Sequence, residues 1–321
     1  MKNNTNKVFD QSTQLDAPDE EQLALEARRL NTYSVSALRV AAEADRAFVL
    51  FPEAVQTLKA LDRLFQLGTE FSTPHGMYLV GPTGSGKTAT FKYFRASLPQ
   101  SALFSHDFAA IGMRVQSRPR VGHVVQGLLN ALKYPFTSGS GKQLYLRRFV
   151  LFEALKSSRT RLIWLDEAQH LLFSRRASAG GDSETEGTEF LRELVDECNI
   201  SLVLSGTSEL DALPDAAPHL ASRISIREEM KNFASDATWV GFVRAFAKQC
   251  QSIDLTYVQA PDIAMRLHLA TGGNLRAFKR LMTEAILIAC DAGQCAANQE
   301  IFSSAFQRVF GRATMRSNPF V

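Results

Sequence analysis

The stretch Gly81-Pro82-Thr83-Gly84-Ser85-Gly86-Lys87-Thr88 constrains this chain more than any other. It lies between an apolar run, Met77-Tyr78-Leu79-Val80, and a helix-like segment that opens near Thr88. Glycines allow a backbone path closed to residues with a Cβ, so successive N–H groups can face a phosphate at a helix N-terminus, where the dipole also favours negative charge. The spacing predicts a strand–loop–helix unit that binds a nucleoside triphosphate, with Lys87 reaching the β- and γ-phosphates and the Thr88 hydroxyl ligating Mg²⁺. A glycine-rich turn with a chance lysine is the bland alternative, and the full spacing after a strand argues against it.

The 321 residues are 45% hydrophobic, enough for one large or two modest cores. No apolar run approaches the ~20 residues needed to cross a bilayer, and Met1-Lys2-Asn3-Asn4-Thr5-Asn6 does not resemble a signal peptide, so a cytoplasmic protein without membrane contact is expected. Cys198, Cys250, Cys290 and Cys295 are scattered, with neither a CxxC pair nor a histidine at ligand spacing, which reads as reduced packing thiols and no metal beyond Mg²⁺. The overall charge of +3 hides a basic segment from Ser101 to Arg161, where ten cations face only Asp107 and Glu153 for a net of +8. Such a surface suits a polyanion, although a solvated basic face is the alternative.

Along the chain, residues 1–22 read as a flexible tail, and helical periodicity (Val55, Leu58, Leu61, Leu64, Phe65) leads to a helix stop at Leu67-Gly68. Strand signals follow at Phe108–Gln116, Leu162–Leu165, Ile200–Leu204 and Ile224–Ile226. Helical patterns at Val124–Leu132, Tyr145–Lys156 and Glu189–Glu197 separate them, and Ala177–Gly187 reads as a mobile loop. Alternation of this kind predicts an α/β domain over 23–229 with a central parallel sheet flanked by helices, its ligand at the carboxyl ends of the strands. Four amphipathic segments, Trp239–Cys250, Asp262–Leu269, Leu275–Ala289 and Gln299–Phe310, predict a helical domain over 230–310, before a short basic tail at 311–321.

Leu162-Ile163-Trp164-Leu165-Asp166-Glu167 reads as a buried strand delivering two carboxylates at its end, Asp166 to support Mg²⁺ and Glu167 to polarise the water that attacks the γ-phosphate. His170 reads as a packing or hydrogen-bonding residue, since Glu167 fills the water-polarising role. The run Leu202-Val203-Leu204-Ser205-Gly206-Thr207 would end beside the γ-phosphate, where Thr207, or Ser205 as second choice, could sense the nucleotide; a plain strand and Ser/Thr turn is the alternative.

Taken in order, the phosphate loop, LIWLDEAQH, LVLSGT, LASRIS and GGNLRAF resemble an AAA+ P-loop ATPase with a C-terminal α-helical lid, over roughly residues 45–310. Phe51-Pro52-Glu53, the Asp-Glu-Ala-Gln-His string and the Ser-Gly-Thr strand end make it most similar to the TniB/TnsC family of transposition ATPases. That resemblance implies that Arg223 is an arginine finger offered to the neighbouring subunit, with Arg227 as fallback, and that Arg276 is the lid arginine that reads nucleotide in its own subunit. It implies double-stranded DNA as the polyanion, with Arg114, Arg118, Lys142 and Arg147 as phosphate contacts. It further implies a homo-oligomeric ring or helical filament, a DDE-type transposase and a TniQ-like target-selection protein as partners, and a tail at 311–321 that is either disordered or a transposase contact. Two rival readings are an AAA+ ATPase working on protein substrates without DNA and a non-catalytic nucleotide switch; intact Asp166, Glu167 and Arg223 argue against the second.

Overall fold

Five short strands pair in parallel into one sheet, four of them mainly apolar and the fifth, at its edge, the charged run Ile-Arg-Glu-Glu. The structure, a computed structural model, describes residues 33–70, 75–98, 108–134, 143–174, 185–294, 296–311 and 317–321. Residues 1–22, the Gly/Ser stretch 137–141, Lys142, Cys295, most of the expected loop at 177–187 and residues 312–316 lie outside that range.

Helix α1 (Val35–Arg46) starts at Ser34, whose Oγ accepts from Ala37 N at 3.3 Å, and α2 follows (Pro52–Glu70). Pro52 suits the first turn, where its missing N–H would have no partner. The helix runs through Leu67-Gly68, where a stop was expected, because burial of Leu61 and Leu64 against the core outweighs one glycine. Then come β1 (Gly76–Val80), α3 (Lys87–Ser97), β2 (Ala110–Arg114), α4 (Val121–Ala131), α5 (Leu144–Ser157), β3 (Leu162–Asp166), a 3₁₀ turn (Ala168–Ser174), α6 (Glu186–Cys198) and β4 (Ser201–Gly206). The order across the sheet is β2-β3-β4-β1-β5, with β5 at Ile226–Glu229. Before β5 stand a 3₁₀ turn (Ser208–Ala212) and two short helices, α7 (Leu213–Ala216) and α8 (Pro218–Ala221).

The strand period of two sorts the core onto two faces. Leu162 and Trp164 join Met77, Leu79 and Val203 under α2 and α3, whereas Ile163 and Leu165 join Ile111, Leu202 and Leu204 under α4, α5 and α6. Opposite Trp164 in the register is Gly112, and this bare position lets the Phe91 ring lie on the sheet, stacked on Trp164 at 4.8 Å and 16°.

Beyond β5 the elements are helical: α9 (Ala237–Gln249), α10 (Pro261–Thr271), α11 (Leu275–Asp291) and α12 (Gln299–Phe310), with a 3₁₀ turn at Thr256–Gln259. Trp239, Phe242, Phe246 and Phe278 pack ring against ring, and Trp239 Nε1 donates to Ala264 O at 2.6 Å. Helix α1 packs along α11, and its Ala37, Ala41 and Ala44 belong to the same core as these helices. The chain end is tied down rather than free: Phe320 is buried against Phe302 and Phe306, and Asn318 Nδ2 donates to Ser303.

Candidate functional site

The glycine loop turns at the carboxyl end of β1. Gly84 and Gly86 take φ of +85° and +104°, values costly for a residue with a Cβ. A Cβ on Gly84 would also stand 2.6 Å from Asn274 Oδ1. Lys87 opens α3 and is 8% exposed, with its Nζ donating to Gly81 O at 2.6 Å and Pro82 O at 3.0 Å. Burial pulls its pKa below the usual lysine value and the Arg276 cation adds to this, while Asp166 and Glu167 oppose it.

Across the loop, β3 delivers Asp166 as its last residue. The carboxylate accepts from Thr88 Oγ1 at 2.6 Å on one oxygen, and from Ser205 Oγ and Glu167 N, both at 3.2 Å, on the other. Glu167 is the first residue past the strand, in the left-handed region at φ +56°, so a turn rather than strand alternation separates the two carboxylates. Its Oε2 accepts from Gln169 Nε2 at 2.7 Å, and Arg114 lies 3.7 Å from Oε1. The Thr207 hydroxyl is buried with no hydrogen-bond partner among the described residues, and the Thr207 N–H donates to Gln169 Oε1 at 3.3 Å. Ser205, the second choice for a sensor, is thus the one that touches Asp166.

The helical region closes the cleft. Asn274 caps α11 by accepting from Ala277 N at 3.2 Å, and its Nδ2 donates to Thr83 O at 2.9 Å. Arg276 N donates to Gly84 O at 3.1 Å. Thr83, Gly84, Lys87, Asp166, Glu167 and Arg276 line one cleft of about 1630 Å³. That exceeds the roughly 300–1,000 Å³ usual for a small-ligand site, because the cleft continues past Phe48, Phe51 and Lys279 to Arg308. The hard oxygen donors of Thr88 and Asp166, adjacent and facing the glycine loop, fit Mg²⁺, and the Cβ-free loop with its buried ammonium fits a polyphosphate.

The remaining residues singled out from sequence are spread more widely. Arg223 is held by its own chain, paired to Asp196 at 2.9 and 3.1 Å, and Arg227 pairs with Asp211 at 2.9 and 3.1 Å; neither lines the cleft. Arg114 ends β2 in the cleft wall, and Arg118 follows it, exposed, at φ +52°. Arg147 is half-buried on α5, with Nη1 donating to Gln126 Oε1 at 3.5 Å. Sequence reasoning missed Asn274 and the contact of Gln169 with Glu167. The Gly-Gly-Asn string before α11 was a legible cap signal for the first; nothing local marks the second.

A parallel sheet in this order, with a glycine loop after its first strand, two carboxylates after its third and a helical region reaching back to the loop, defines the AAA+ fold. The model of the bacterial TniB protein family matches residues 39–232, more than half of the 321, and the chain belongs to the TniB family. Among solved structures it is similar to the Aeropyrum pernix ORC2 protein in its ADPNP–ADP complexes, with TM-score 0.61 and 16% identity over 83% of this chain and 71% of that one. It is also similar to the Aeropyrum pernix ORC1 protein in complex with DNA, with TM-score 0.59 and 20% identity over 84% and 68%. Drosophila ORC bound to DNA matches with TM-score 0.55 and 12% identity over 96% and 72%. No curated protein matches the sequence significantly. Among the described residues no helix is long and apolar enough to cross a membrane.

Proposed function

We propose that this protein is an ATP-hydrolysing regulator of DNA transposition that assembles on double-stranded DNA with ATP bound and disassembles on hydrolysis. The carrying observation is the cleft itself: Lys87 and Thr88 face Asp166 and Glu167, and Asn274 and Arg276 bond directly to the glycine loop, so a ligand there would be gripped by sheet and helical region together. Membership of the TniB family supports transposition as the setting, with a DDE-type transposase and a TniQ-like protein as partners.

In this reading the loop amides and Lys87 bind the triphosphate, and Glu167 takes up the proton of the attacking water. Mg²⁺, held by Thr88 and Asp166, would supply charge neutralisation for the transferred phosphoryl group. The helices from α9 to α12 serve as the lid, with Arg276 reading the nucleotide. Arg223 is offered to the neighbouring protomer once it leaves Asp196, making the site a shared one. Arg114, Arg118, Lys142 and Arg147 contact phosphates and give affinity without sequence preference. Two of the ORC structures of similar fold are complexes with DNA, which is in keeping with a DNA-bound role for this fold.

A second reading, action on protein substrates, is favoured by one observation: Tyr145, Leu146 and Phe149 form an exposed apolar row on α5. The deciding experiment is binding to random-sequence duplex DNA with a non-hydrolysable ATP analogue, ADP or no nucleotide across a salt series. Analogue-dependent binding, weakened steeply by salt and trapped by Glu167→Gln in ATP, is the expected result. No binding at low salt in any nucleotide state would turn the function toward proteins.

A further inference from the structure

Gln169 has no part in the chemistry above, yet it is the residue that holds Glu167. It is 5% exposed within the 3₁₀ turn after β3. The Thr207 N–H can only donate, so it must face Oε1, which leaves the amide NH₂ for the Glu167 carboxylate. One buried amide therefore spans the end of β4 and the glutamate after β3. The approach depends on Gly206, because a Cβ there would run into Gln169 Oε1. Gly206 in turn accepts from the first glycine of the loop, Gly81 N, at 3.0 Å. The phosphate loop, the end of β4, Gln169 and Glu167 thus form one hydrogen-bonded line.

Glu167 needs such a holder. Its backbone sits at φ +56°, and its other oxygen has Arg114 at 3.7 Å, a side chain 75% exposed and free to move with its surroundings. An exposed cation sets no fixed orientation, whereas a buried amide with both ends committed does.

We propose that Gln169 is a positioning residue for ATP hydrolysis: its amide fixes the Glu167 carboxylate relative to the end of β4 and the phosphate loop, and it contributes to turnover and not to nucleotide affinity. The inference rests on the ATPase reading. Gln169→Glu separates the two ends of the side chain. An oxygen still accepts from Thr207 N and the size is kept, but the donor to Glu167 is replaced by a second carboxylate.

The test measures kcat and KM of ATP hydrolysis, together with the Kd of a fluorescent ATP analogue, for wild type, Gln169→Glu, Gln169→Ala and Glu167→Gln. Gln169→Glu is expected to lower kcat by about 10- to 100-fold, the scale of a misplaced catalytic group, with the analogue's Kd within about twofold of wild type. Adding Gln169→Ala to Glu167→Gln should cost no further single-turnover rate if Gln169 acts through Glu167. A Gln169→Glu protein with wild-type kcat overturns the proposal, as does a loss of nucleotide affinity parallel to the loss of rate. Gln169→Glu decides the matter even if Gln169→Ala does not fold. A wild-type protein that binds ATP and never hydrolyses it overturns the ATPase reading and this inference with it; hydrolysis with an unimpaired Gln169→Glu overturns only the inference.

Discussion

At the scale of a residue, Lys87 carries a conflict between stability and its proposed role. Its folded-state pKa lies below the ordinary 10.5, chiefly through burial. Between the depressed value and 10.5 the unfolded chain holds more of the proton, so stability rises with pH there; below both values the buried ammonium is a cost. The carbonyls of Gly81 and Pro82 offset part of it, and a triphosphate would offset the rest. Lys87→Met should therefore leave the nucleotide-free protein with its melting temperature unchanged or slightly raised. ATP at a hundred times Kd should raise the wild-type midpoint by about 5 °C and leave the variant unmoved in a thermal-shift titration. An equal ATP shift in both proteins would remove Lys87 from the phosphate site.

At the scale of an element, α11 is the piece that turns the glycine loop into a closed cleft. Its cap residue, Asn274, serves the helix through Oδ1 and the loop through Nδ2, which also reaches Asn232. Asn274→Ala should cost about 1 kcal/mol of stability for the lost cap and should speed nucleotide release, measured by stopped-flow displacement; faster release is the part that a cap alone would not produce. The elements also show what a sequence can reveal. Strand, loop and helix around Lys87 are legible because each signal is local: apolar run, glycines, lysine at fixed spacing. The last strand was expected at Ile224–Ile226 and lies at Ile226–Glu229, because Arg227, Glu228 and Glu229 look like a surface turn until β1 pairs with them at the sheet edge. The pairings Arg223–Asp196, Asn274–Thr83 and Gln169–Thr207 join residues 27, 191 and 38 positions apart, and only the fold brings them together.

At the scale of the whole molecule, one apolar core runs from α1 through the sheet into the C-terminal helices and on to Phe320. Truncating that last aromatic ring should therefore be felt as a core deletion. Phe320→Ala is expected to lose about 3–5 kcal/mol of unfolding free energy, and a denaturant midpoint near wild type would mean the chain end contributes nothing to the fold. The same continuity bears on how the protein is made. The apolar stripe of α1 finds its cover on α11, more than two hundred residues later, and Lys279, which also lines the cleft, donates to Asp45 O at the end of α1. During synthesis at about 5–20 residues per second, the first described helix must wait tens of seconds for the surface that buries it. A nascent chain, however complete its glycine loop, has no closed cleft until α11 has left the ribosome.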